Sequence, residues 1–166
     1  RQESLCTPHI YDLNEYIGTG IHEMTICVSN VGYKTKGGHL TSPDTQTNWN
    51  GITGRIELIG YKNAHAENVM LWCDIHSKTV RVTADITGGK GGKAVISAES
   101  FNSEKNHTPA VQSFEYTDGK LDALYKMGDD CLLWSEHEPN LYKLRIDIDG
   151  DMSEHIIGMR LSLIHI

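Results

Sequence analysis

Leu141-Tyr142-Lys143-Leu144-Arg145-Ile146-Asp147-Ile148-Asp149-Gly150-Asp151-Met152-Ser153-Glu154-His155-Ile156 is the stretch that decides the fold. Leu144, Ile146 and Ile148 alternate with Lys143, Arg145 and Asp147, a period of two that places one set on each face of a strand. Asp149-Gly150 then supplies the pair of residues tolerant of positive φ that a two-residue hairpin turn needs. A second strand, at 154–161, completes the hairpin.

The same reading extends upstream. Strand-like runs occupy 66–74, 79–86, 94–101, 111–116 and 121–125, and Asp118-Gly119 supplies another tight turn. With the two runs above, that makes seven strands after residue 64 and almost no 3.6-residue periodicity, so the chain is read as all-β. Seven short alternating strands over ~100 residues predict an immunoglobulin-like antiparallel β-sandwich, though the Cys and Trp spacing of antibody domains is missing. Before Lys62-Asn63-Ala64 the runs are 9–13, 22–29, with Met24, Ile26 and Val28 on one face, and 54–61. Three or four strands cannot close a jelly roll of about eight, so this is an incomplete jelly-roll β segment whose apolar faces need cover. A boundary is expected near residue 63.

Charge and composition remove several classes of function. The formal net charge is −7 and the basic residues form no cluster, so no nucleic-acid partner is expected. No run approaches the ~20 apolar residues of a membrane span, and no membrane partner is expected. Cys6, Cys27, Cys73 and Cys131 form no Cys-x-x-Cys pair, which argues against a zinc ribbon or a thioredoxin-type site. Cys27 and Cys73 lie in apolar runs and read as buried thiols, with one disulfide among the four left open. The nine histidines form no His-x-x-x-His pair and read as scattered surface residues; neither a metal nor a cofactor is expected.

Other strings imitate catalytic motifs and fail on spacing. Gly88-Gly89-Lys90-Gly91-Gly92-Lys93-Ala94 is one residue short of a phosphate loop, lacks the following Ser or Thr, and precedes a strand, so it reads as a flexible inter-strand loop. Asp147-Ile148-Asp149-Gly150-Asp151 would open a calcium loop only with Glu at its twelfth position, where Gly158 stands. No Gly-x-Ser-x-Gly elbow occurs. Asp129-Asp130 and Glu136-His137-Glu138 lie between strands and read as solvated loop charges rather than a catalytic pair.

Three strings carry a family resemblance. Ser4-Leu5-Cys6-Thr7-Pro8-His9-Ile10-Tyr11-Asp12-Leu13, followed by Gly20-Ile21-His22-Glu23-Met24-Thr25-Ile26-Cys27-Val28-Ser29-Asn30, is one. Trp49-Asn50-Gly51-Ile52-Thr53-Gly54-Arg55-Ile56-Glu57-Leu58 is the second. The most specific is Leu133-Trp134-Ser135-Glu136-His137-Glu138-Pro139-Asn140-Leu141-Tyr142-Lys143-Leu144. Together they resemble glycoside hydrolase family 2, over about residues 4–160. The resemblance implies the end of a jelly-roll sugar-binding domain at 1–63, an immunoglobulin-like β-sandwich domain at 64–161, and a tail at 162–166 that departs from the family pattern. Trp134 and Leu141 are expected to fill the sandwich core, Pro139 to end pairing, and Tyr142 to satisfy its hydroxyl at a corner.

In that family the paired glutamates lie on a following (β/α)₈ barrel, which is missing here. The resemblance therefore implies an accessory region of a β-galactosidase-like glycosidase with no catalytic residue of its own. Its partners would be a β-glycoside carbohydrate in the full enzyme and the catalytic barrel of the same parent chain, with homodimerisation through 8–61 a further expectation. The rival reading is a stand-alone carbohydrate-binding or adhesion module. For substrate contact the expected residues are Asp44, Gln46, Asn48, Trp49 and Asn50, which combine hydrogen-bonding groups with an aromatic face. Family members place an acidic residue shortly before the Gly-Ile turn; Asp44 matches, with Thr45 one register away. The alternative for 39–50 is a loop of Asx-type turns with Trp49 packed beneath it.

Overall fold

The computed structural model describes residues 2–4, 7–29, 51–61 and 63–160. The chain divides into two units, Arg1–Leu58 and Ile59–Ile166. The second unit contains seven strands: β1 (His65–Asp74), β2 (Thr79–Thr87), β3 (Gly91–Ser100), β4 (Gln112–Thr117), β5 (Lys120–Lys126), β6 (Tyr142–Ile148) and β7 (Asp151–Ile157). Six coincide to within a few residues with the runs expected from alternation; β7 overlaps the expected 154–161 only at 154–157, because it starts directly after the Asp149-Gly150 turn and ends before Gly158. Their order is β1-β2-β5-β4-β3-β6-β7, every pair antiparallel.

Local chemistry sets the turns. Asp118 and Gly119 have φ of 51° and 68°, Asp149 and Gly150 51° and 86°, as the two-residue hairpins require. The β1–β2 turn is instead capped by Asp74, whose carboxylate accepts the His76 N–H at 2.8 Å and the Ser77 hydroxyl at 2.7 Å. In β1 the register shifts between Glu67 and Met70, a bulge at which Asn68 takes φ 50° and donates to Asp85 at 2.9 Å.

β4 and β5 are paired in register only at Thr117 with Lys120, so the ladder bends there into two layers, β1-β2-β5 and β4-β3-β6-β7. Beyond the turn the Gln112 side chain crosses the gap, donating to the Lys126 carbonyl at 2.8 Å and accepting its N–H at 3.1 Å. One core lies between the layers. Val80, Val82, Ile96, Tyr125, Leu144, Ile146 and Ile148 are each wholly buried within it. Burying each such side chain favours the fold by about 1.5–3 kcal/mol relative to exposure.

The glycine-rich string is part of this packing. Gly91-Gly92-Lys93 belongs to β3 rather than to a flexible loop, and only Gly88, Gly89 and Lys90 connect it to β2. A Cβ on Gly89 would stand 2.7 Å from the Tyr116 hydroxyl and 2.9 Å from Ala64 Cβ. Gly89 and Gly92 are there because buried Tyr116 leaves no room for a side chain.

The first unit departs from expectation. Residues 9–13, 22–29 and 54–61 are not strands. Apolar alternation alone does not make a strand; backbone partners must be present to form the ladder. Met24, Ile26 and Val28 remain 61, 50 and 45% exposed. Cys27 lies exposed beside them, contrary to its expected burial, and Cys73 is half-buried. Among the described residues Cys27, Cys73 and Cys131 are free thiols.

Candidate functional site

Asp44, Gln46, Asn48, Trp49 and Asn50, with Thr45, lie outside the described residues. The most specific string does not. Residues 131–141 cross from β5 to β6 and fold back on themselves, with Trp134 bridged to Pro139. Inside this bridge the Ser135 N–H donates to the Glu138 carbonyl at 2.9 Å, and the Glu138 N–H to the Ser135 hydroxyl at 3.0 Å. The Asn140 side chain donates to the Leu133 carbonyl at 2.9 Å. From the β3–β4 loop, Asn102 clamps the far side, donating to the Pro139 carbonyl and accepting the Leu141 N–H, both at 2.7 Å. Glu136, His137 and Glu138 point outward as solvated turn charges.

This loop grips the segment after β7. The Trp134 N–H donates to the Met159 carbonyl at 3.0 Å, and the Arg160 guanidinium stands 4.4 Å from the Trp134 ring centroid. A Cβ on Gly158 would come within 3.2 Å of Trp134 and 3.3 Å of Leu141. Trp134 and Leu141 are thus half-buried over Gly158 rather than filling the core, because that place belongs to Leu144, Ile146 and Met159. Tyr142 does satisfy its hydroxyl at a corner. It accepts the Leu132 N–H at 2.7 Å and meets His107 Nδ1 at 2.8 Å, while burial pushes its pKa well above the ordinary value. Tyr125 is pushed up to about 12, again by burial, and donates to the Ala110 carbonyl at 3.1 Å.

Beside His107 a cleft of about 540 Å³ opens between Pro109, Gln112, Lys126, Asp129 and Asp130. Its acids are surface charges; the Asp129 side chain is fully exposed, 4.0 Å from Lys78. The carboxyl groups whose pKa is displaced all move downward: Asp74 through Ser77, Asp85 through Lys120, Asp122 through Arg81. A glycosidic general acid needs the opposite displacement, so none of these three suits proton donation. The histidine expectation also needs correction. His65 is buried and stacked on Tyr61 at 3.5 Å, and His155 is half-buried.

One surface escaped the sequence reading. On the outer face of β1-β2-β5, Trp72, Arg81 and Leu124 stand in one row across three strands, with Met70 in the next. The Arg81 guanidinium lies 5.8 Å from the Trp72 centroid and makes two bonds to Asp122, at 2.9 and 2.7 Å. The signal was in Val69-Met70-Leu71-Trp72-Cys73, five apolar residues without alternation. Val69, Leu71 and Cys73 pack on the core, so the other set has to face outward.

The sandwich and its gripping loop coincide with the region that a family model, that of the glycosyl hydrolases family 2, matches: residues 64–160. The chain belongs to this family. As a glycosyl hydrolases family 2 chain it is similar to a beta-galactosidase of Clostridium acetobutylicum, 22% identical over 166 aligned positions. That alignment covers 95% of this chain and 18% of the relative, so the chain spans less than a fifth of the curated protein it matches.

Proposed function

We propose that this chain is the non-catalytic accessory region of a family 2 glycosidase. The parent would hydrolyse O-glycosyl bonds in the manner of a β-galactosidase, with a (β/α)₈ barrel carrying the chemistry. The sandwich would be the immunoglobulin-like domain that positions the barrel, and residues 1–63 the end of a jelly-roll sugar-binding domain. Asp44, Gln46, Asn48, Trp49 and Asn50 would line one rim of the sugar pocket. The observation that carries this reading is the Trp134 loop. The string most specific to the family is spent on holding Gly158, Met159 and Arg160 in one direction, which is a positioning task.

The exposed apolar residues of the first unit favour association with a partner surface, either the remainder of the parent or a second copy. The experiment is an assay of the purified chain on aryl β-galactosides beside the parent enzyme. The chain should be blank and the parent active; turnover by the chain that vanished on replacing one of its own Asp or Glu residues would sink the accessory role. The second reading, a carbohydrate-binding sandwich, is favoured by the exposed Trp72 row.

A further inference from the structure

We propose that the outer face of the β1-β2-β5 layer is a binding strip for a neutral β-linked oligosaccharide, with Trp72 as its stacking platform and the Arg81–Asp122 pair as its hydrogen-bonding edge. The proposal gives the carbohydrate-binding reading a place and rests on that reading; the accessory role does not depend on it.

Shape comes first. Trp72, Arg81 and Leu124 share one row by register, with Met70, Thr83 and Asp122 in the next. Three strands span on the order of 10 Å, enough to underlie two linked sugar rings. Trp72, Met70 and Leu124 are 48, 57 and 54% exposed.

Charge selects the ligand. The whole chain carries −7, yet in the Trp72 and Met70 rows the only charges are Arg81 and Asp122, paired with each other. In the flanking rows Lys120 pairs with Asp85, which also accepts from Asn68, Glu67 accepts the Thr87 hydroxyl, and Asp74 stands in the row of Lys126. The strip formed by the Trp72 and Met70 rows is electrically balanced and complements an uncharged partner. A dry protein surface fits it less well, because the apolar side chains are interrupted by an ion pair that is more than half exposed, and sealing that pair from water is costly. A pyranose makes no such demand. Its C–H face lies on the indole, and its hydroxyls replace the water on the guanidinium and carboxylate without breaking their mutual bonds. The two-bond Arg81–Asp122 fork also fixes those groups in advance, so little side-chain entropy is lost on binding.

The test is calorimetric titration of the 166-residue chain with neutral β-linked hexasaccharides of glucose, galactose, mannose and xylose. Saturable binding of at least one is expected, at a Kd of about a millimolar or tighter. Trp72→Ala should weaken it roughly tenfold or more, Trp72→Tyr should restore most of it, and Arg81→Gln should weaken it severalfold. Asp130→Asn, in the separate cleft, should bind as the unaltered chain does. Circular dichroism of each variant checks that it is folded. No saturable binding of any hexasaccharide, binding unchanged in folded Trp72→Ala, or binding confined to anionic uronate oligomers would overturn the proposal. So would a concentration-dependent dimer that Trp72→Ala dissolves, since a second copy would then be the occupant. These outcomes are separate from the glycosidase assay, which bears only on the accessory role.

Discussion

Met24, Ile26 and Val28 in the first unit and Leu144, Ile146 and Ile148 in the second are the same pattern with opposite fates. The second triad is wholly buried in β6, flanked by β3 and β7; the first is about half exposed and unladdered. Alternation states which face a strand would bury. Whether the strand exists depends on neighbours that supply hydrogen bonds and a second apolar layer.

The comparison can be broken most decisively by cutting the chain. Residues 59–160 expressed alone should unfold in one cooperative denaturant transition, whereas residues 1–58 alone should show none. A sloping, non-cooperative melt of the sandwich fragment would show that the first unit supplies part of its stability. Point changes sharpen the contrast. Ile146→Ala should destabilise by about 2–5 kcal/mol through the cavity it leaves, and Ile26→Ala should stay within about 0.5 kcal/mol. Equal effects in urea melts would contradict the contrast between the two triads.

Trp134→Ala tests an intermediate case. A core tryptophan would cost about 3–5 kcal/mol on truncation. Half-buried over Gly158 and capped by Arg160, Trp134 should cost about 2 kcal/mol, with its N–H bond to Met159 retained by the backbone. A loss as large as that of Ile146→Ala would return Trp134 to the core.

The smallest effect is in pH. Burial holds His155 below its ordinary 6.5, so as pH falls under 6.5 the unfolded chain takes up the proton first. Stability contributed by the neutral ring is therefore complete above that value and lost below it. A modest fall in Tm between about pH 7 and 5.5, absent in His155→Gln, is expected. Asp74, Asp85 and Asp122, whose pKa values are depressed below 3.8, contribute in the other window. Their stabilisation is present above 3.8 and lost as pH drops through the lower folded values, in both proteins. A flat profile across the first window would place His155 in water.

Legibility in the sequence followed the range of the interactions involved. The strands after residue 64 and both Asp-Gly turns were legible because period and positive-φ tolerance are local properties. The family string was legible as a string, and Tyr142 as a corner residue. The position of Trp134 was not, because it depends on Gly158 and Arg160 arriving from the far side of β7. His65 escaped for a similar reason, since its burial comes from stacking on Tyr61 as well as from its place in β1. Trp72 was hidden in an apolar run whose two faces only register could separate.

The two-residue turn at Asp118-Gly119 also has a consequence in time. It joins β4 of one layer to β5 of the other, while the remaining links between layers, from β2 to β3 and from β5 to β6, run through loops. Hairpins form in about 1–10 μs, so β1–β2, β4–β5 and β6–β7, each joined by a short turn, should assemble before anything else. Closure then waits on β2 finding β5 and β3 finding β6, each across the chain length of at least one intervening hairpin or loop. Pairings of that separation put sandwiches in the millisecond-to-second range. A folding chain would therefore hold three prefabricated hairpins, with Lys120 and Leu121 already in place beside the turn, well before the two layers close on one core.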